Sequence, residues 1–140
     1  MRYKLTKGLE NNPDAIEIRK SVFMDEQGFK NEFDDTDKDA FHVVIYVKNR
    51  RAATGRLFWS QGGCMRIGRV AVLSEYRGKS LGSLIIAVLE KKARELCCKK
   101  IEISAQTRVS EFYKRLGYAP CGEEYTDEGC PHTAMVKILD

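Results

Sequence analysis

The segment Tyr76-Arg77-Gly78-Lys79-Ser80-Leu81-Gly82-Ser83 joins the β-branched run Arg69-Val70-Ala71-Val72 to a long amphipathic stretch, and its composition suits an anion. Free backbone N–H groups at a helix start, the positive end of the helix dipole and glycines that admit a close ligand together make a cradle for a pyrophosphate. Gly78-Lys79-Ser80 also has the ending of a nucleotide-triphosphatase loop, but the glycine such a loop requires upstream is Leu73 here. The dinucleotide fingerprint GxGxxG is missing as well, so ordinary ATP and NAD sites lose their support. A plain glycine-softened turn between strand and helix is the bland alternative.

Other residues could do chemistry, and each has a structural reading beside it. Tyr113 falls on an apolar helical stripe, where a tyrosine is ordinarily a core residue with a satisfied hydroxyl. Glu26 falls with the inward face of a helix, and His42 shares a strand face with Val44 and Tyr46, so both read as satisfied polar residues. Asp35, Asp37 and Asp39 have the opening spacing of a calcium loop. That loop fails at Ala40, where glycine is needed, and at Tyr46, where a bidentate glutamate is needed. No metal is expected, and the segment reads as a solvated acidic loop able to attract a cationic amine. Cys130 and His132 lack the second ligand pair of a zinc site, and His132, at a strand start, is expected to line a cleft or pin a loop.

The elements that would position these residues follow from periodicity. Met1 to Leu5 opens as a strand. Asn12 and Pro13 make an N-cap and first helical residue, and Ile16, Arg19, Val22, Phe23 and Glu26 share one face of a helix that Gly28 stops. Phe29 to Asp39 is aperiodic loop. Ala40 to Lys48 and Arg51 to Ser60 form a hairpin about Asn49-Arg50, and Met65 to Leu73 follows as a central strand, giving three adjacent antiparallel strands. Ser80 to Cys97 is a helix with Leu81, Leu84, Ile85, Val88, Leu89 and Leu96 as its apolar stripe. Ile101 to Ala105 is a strand, Val109, Phe112, Tyr113 and Leu116 mark a helix ended by Gly117, and Tyr118 to Glu124 and His132 to Leu139 are the last strands.

At 140 residues, with 43% hydrophobic and 31% charged residues, the chain reads as one α/β domain spanning 1–140. Lysine plus arginine exceed aspartate plus glutamate by 24 to 20, a net charge of +4 that is too mild and too interspersed to signal nucleic acid. No apolar run reaches the roughly 20 residues of a spanning helix, so no membrane partner is expected. Five cysteines without CxxC spacing read as reduced thiols of a cytoplasmic protein, and none has an evident paired base for nucleophilic catalysis.

The run RVAVLSEYRGKSLGSLII resembles the acyl-CoA-binding motif of the GNAT acetyltransferase superfamily, Q/R-x-x-G-x-G/A after a strand: Arg77, Leu81 and Gly82 match, and Ser80 replaces the usual middle glycine. QTRVSEFYKRLGY resembles the superfamily's later motif, with Gln106 where asparagine is more usual. IRKSVFMDEQGF, the stretch from Asp37 to His42, and CGEEYTDEGCPHTAMVK are similar to the small bacterial ElaA-like branch. The resemblance implies a twisted mixed sheet, split like a V beside the central strand, with helices on both faces. It implies acetyl-CoA in the split as acyl donor. Main-chain groups of Val70, Ala71 and Val72 would pair with the pantetheine amides, the amides of Arg77, Gly78, Lys79, Ser80, Leu81, Gly82 and Ser83 would hold the pyrophosphate, and Gln106 belongs to the same site. Tyr113 would protonate the departing thiolate, a central-strand N–H would steady the oxyanion, and Glu26 or His42 would serve as base. The acceptor implied is a primary amine, on a small molecule first and a protein lysine second, in a monomer or a homodimer. The alternative is a non-catalytic domain that binds or senses acyl-CoA.

Overall fold

The computed structural model describes residues 1–140 except Asn31 and Glu128. The nearly continuous apolar run of β2 (Phe41–Val47) suits a strand covered on both sides. Val43 and Ile45 enter one core with the helix α2 (Leu81–Glu95), while Val44 and Tyr46 enter a second core with α1 (Pro13–Arg19). The sheet is therefore a middle layer. Its order is β1-β2-β3-β4-β5-β8-β6, with β7 beside β8, where β1 is Arg2–Lys7, β3 Arg50–Trp59, β4 Met65–Val72, β5 Lys100–Gln106, β6 Ala119–Pro120, β7 Tyr125–Asp127 and β8 Cys130–Ile138. Neighbours are antiparallel except β4 and β5, which run parallel. This mixed sheet with helices on both faces matches the expected architecture.

The split is visible in the ladder. β4 pairs with β5 only from Met65 to Ile67, opposite Ile101 to Ile103, and its later residues leave that partner. A bulge sits where they part: Arg56 and Thr54 of β3 face Gly68 and Ala71, so Arg69 and Val70 oppose Gly55 alone, and Arg69 takes a left-handed φ of 52°. The extra residue shifts the alternation of β4. Met65 and Ile67 face the α2 core and so do Val70 and Val72, while Ala71 joins the α1 core.

Four local expectations need correction. The β2–β3 turn centres on Lys48 and Asn49, both at positive φ as a type I′ turn requires, one residue earlier than Asn49-Arg50. The first helix changes to π-helical turns over Lys20–Glu26, with the Gln27 N–H bonded to the Val22 carbonyl. The wider turn rotates each residue less, so Ala15, Ile18, Arg19, Val22 and Phe23 make the buried stripe, Ile16 is half-buried, and Glu26 is exposed rather than inward. The acidic segment is not a solvated loop. It carries a 3₁₀ turn at Asp35–Lys38 closed by a reciprocal Asp34–Asp37 capping box, and Glu32 and Asp37 are buried. The expected strand from Tyr118 to Glu124 shrinks to β6, because Tyr118 turns into the core and Gly122 takes a φ of 89°; the chain pairs again at Tyr125.

Candidate functional site

Where β4 and β5 diverge they leave a cleft of about 840 Å³, within the range of small-molecule sites. Among the described residues, backbone N–H and C=O groups on that edge of β4 have no strand partner beyond Ile67, so Val70, Ala71 and Val72, which line the cleft, leave main-chain polar groups available there. The Val72 carbonyl already accepts a bond from Arg77 Nε at 2.9 Å.

At the carboxyl end of β4 the chain turns into α2 through the glycine loop. Gly78 has a φ of 78° with open space where a Cβ would stand, and Ser80 is the N-cap with a left-handed φ of 62° and no side-chain cap bond. The first-turn amides have no intrahelical partner, and Ser80, Leu81, Gly82 and Ser83 line the cleft. Gly82 serves packing as well: a Cβ there would lie 3.2 Å from Phe112 Cζ, so glycine lets α3 (Ser110–Arg115) approach α2. Arg77, Gly78, Ser80, Leu81, Gly82 and Ser83 line the cleft, whereas Lys79 is not in its lining and sets its ammonium over the ring of Tyr76, which is. The amides, dipole and open glycine form fit a diphosphate.

The Acetyltransferase (GNAT) domain profile matches residues 10–139. The chain belongs to the GNAT acetyltransferase family. It is 32% identical to the uncharacterized N-acetyltransferase YjcF of Bacillus subtilis strain 168 over 141 residues, covering 98% of this chain and 99% of that one. The acyl-CoA N-acyltransferase structure from Pseudomonas aeruginosa superposes with a TM-score of 0.86 at 24% identity, covering 97% of this chain and 98% of that one. Escherichia coli ElaA superposes with a TM-score of 0.85, also at 24% identity over 97% and 98% of the two chains. The GNAT fold and its ElaA-like relatives thus agree with the motifs, and the chain is a GNAT-type acetyltransferase enzyme.

This GNAT cleft collects some residues expected from sequence and not others. Tyr113 lines it, 6% exposed, with edge-on contacts to Phe112 and Tyr118 and no hydrogen-bond partner for its hydroxyl among the described residues. Burial alone pushes that phenol up to about 12. Gln106 lines the cleft too, and its Nε2 donates to Gln27 Oε1 at 3.0 Å, bridging β5 to the end of the π-helical turns.

The two carriers proposed for base chemistry are poorly placed for it. Glu26 faces the cleft but is clamped by Arg77 through two hydrogen bonds of 2.6 and 2.7 Å. The guanidinium holds the carboxyl below the usual carboxylate range and weakens it as a base. His42 is 1% exposed, off the cleft lining, with Nε2 3.0 Å from the Asp37 carbonyl. Burial lowers its pKa, and it packs beneath the acidic segment.

Sequence reasoning missed the ion network behind the cleft. Arg19 donates to Glu32 and Asp37 at 2.8 Å each, Arg56 to Asp34 at 2.7 Å and Asp37 at 2.8 Å, and Arg69 lies 3.2 Å from Glu32. Although burial pushes Asp37 up, hydrogen bonds from Arg19, the Asp34 N–H and Arg56 hold it down at about 2. The available signal was an arginine on the apolar stripe of a helix and another inside a strand, since a buried guanidinium demands partners.

Proposed function

We propose that this enzyme transfers an acetyl group from acetyl-CoA directly to a primary amine of a small molecule. The observation that carries the reading is the unpaired edge of β4 from Gly68 to Val72, ending at a glycine loop with free amides and facing Tyr113. An acetyl thioester supplies a carbonyl activated toward amines. Main-chain groups of Val70 to Val72 hold the pantetheine amides in strand-like register, and the amides of residues 78–83 hold the diphosphate. An N–H of this edge donates to the carbonyl oxygen as it gains charge. Tyr113, neutral across the working pH range, donates to sulfur as the C–S bond breaks. Fixed donors at both atoms supply the preorganisation. The name of the Pseudomonas aeruginosa neighbour supports an acyl-CoA donor.

Calorimetric titration with acetyl-CoA and a thiol-release assay over a panel of amines test this reading together. Expected are saturable binding and steady CoA release that requires an amine. Binding with no turnover for any amine would assign the cleft to sensing, and an absence of binding would refute the placement of the donor.

A further inference from the structure

We propose that His132 is the general base that takes the proton from the acceptor ammonium, an assignment that rests on the acetyl-transfer reading above. The ladder places it on the acceptor side. Along β5, Ile103 and Ala105 belong to the core shared with α2, so Gln106 faces the opposite side, where Gln27 meets it. His132 stands directly opposite Gln106 in the β5–β8 pairing and shares that face. Tyr113 belongs to the α2 core. Acid and base thus stand toward opposite faces of the sheet at the split, one toward the sulfur and one toward the incoming amine.

The surroundings of the ring fix its roles. Nδ1 lies 2.9 Å from the Cys130 carbonyl oxygen. A carbonyl only accepts, so in the neutral ring Nδ1 carries the hydrogen and Nε2 presents a bare lone pair. The residue is 8% exposed and lines the cleft, and the ring's hydrogen bond among the described residues is made at Nδ1, leaving Nε2 without a partner there. Tyr125 of β7 stacks on it with ring centroids 6.0 Å apart, and the Tyr125 hydroxyl is itself hydrogen-bonded to Ser104. The ring is therefore held on both its edge and its face. Neither Glu26, clamped by Arg77, nor His42, off the cleft, offers a comparable lone pair.

The step balances. An N–H bond of the ammonium breaks, its electron pair stays on nitrogen, and the proton goes to Nε2, giving an imidazolium whose Nδ1–H still bonds the Cys130 carbonyl. The freed pair forms the C–N bond at the thioester carbon, the C–S bond breaks with its pair on sulfur, and sulfur takes the Tyr113 proton. The surplus proton on nitrogen restores Tyr113 through solvent, and the imidazolium releases its own. One ammonium and one thioester become one amide, one thiol and one proton.

The test compares wild type with His132→Gln, using acetyl-CoA and two nucleophile classes: primary alkylamines, protonated at neutral pH, and hydroxylamine, largely unprotonated there. For alkylamines kcat/KM should fall about 10²- to 10⁴-fold, and for hydroxylamine by less than about tenfold, with acetyl-CoA affinity unchanged. Equal losses for both classes, or none, would overturn the assignment while leaving acetyl transfer intact. A wild type that acetylates no amine would remove both. A second measurement needs no turnover: ring ¹⁵N NMR at mildly alkaline pH, assigned by difference because the chain has 2 histidines. The hydrogen is expected on Nδ1 of His132; finding it on Nε2 would overturn the proposal even if the variant fails to fold.

Discussion

Tyr113→Phe removes one hydroxyl from a ring that is otherwise fully used in packing. The ring centroid lies 4.9 Å from that of Phe112 and 6.1 Å from that of Tyr118, both edge-on, and phenylalanine keeps those contacts. The hydroxyl has no partner among the described residues, so its loss strands no donor or acceptor, and stability should change by less than about 1 kcal/mol. The catalytic effect is different in kind. A phenol at about 12 facing a thiol of ordinary pKa near 8.5 would transfer its proton uphill by about 3.5 units, or about 5 kcal/mol. Burial in the proposed complex would also raise the pKa of the thiol beside it, which narrows that gap, and the phenol stays protonated at neutral pH. The expected outcome is a fall in kcat of at least about tenfold, within the span typical of general acid catalysis, with acetyl-CoA affinity preserved. Pre-steady-state CoA release isolates the chemical step, and an acyl donor with a more acidic thiol should lose less. A folded Phe variant with wild-type kcat, under conditions where chemistry limits, would return Tyr113 to a packing role.

Ser80→Gly relieves a left-handed residue, which costs an L side chain roughly 1 kcal/mol, but it also loosens the unfolded chain by roughly 0.5–1 kcal/mol. The melting temperature should barely move and acetyl-CoA affinity should hold or improve; a marked loss in calorimetry would make the hydroxyl a phosphate contact. Gly55→Ala would place a Cβ 2.5 Å from Ile85 Cγ2 in the closed core, and denaturant titration should show a loss of about 1–3 kcal/mol. Asp37→Asn leaves Arg19 and Arg56 short of a buried anion and should cost about 3 kcal/mol. Because Asp37 is held at about 2, its contribution is full above the unfolded value near 4 and fades as pH falls toward 2, so the gap between wild type and variant should close over that interval. A gap independent of pH would refute the charge argument.

The strands and α2 were legible because their local signals are strong: a continuous apolar run for β2, a turn signal at Lys48-Asn49-Arg50 that hands it on to β3, and Leu81, Ile85, Val88 and Leu89 at helical spacing. The glycine loop and Tyr113 were legible because their spacing is local. What failed was non-local. The bulge at Arg69 depends on how β3 and β5 compete for β4, which no window of the chain records. The fate of the acidic segment depended on Arg19, Arg56 and Arg69, which lie on three different elements, α1, β3 and β4. The buried role of Glu90 is non-local for the same reason, since Tyr118 and Lys137, far along the chain, both donate to it beneath the surface. His132 gained its meaning only when β8 set it opposite Gln106.

The ion network explains why the cleft has a fixed wall where sequence shows only an irregular loop. Arg19, Arg56 and Arg69 face Glu32, Asp34 and Asp37, so the cluster is neutral in formal charge, and desolvating it is offset by pairing rather than repaid as surplus stability. An apolar cluster of equal volume would bury the same segment with less directional demand. Guanidinium and carboxylate impose angles as well as distances. Arg69 carries that demand straight to the cleft: the φ that lets β4 bulge also sends its side chain to the Glu32 carbonyl and carboxylate. The backbone irregularity that frees the edge of β4 thus also fastens Glu32 to β4. A change at Arg69 would act at once on the free edge of β4 and on the placement of Glu32 in the cleft lining.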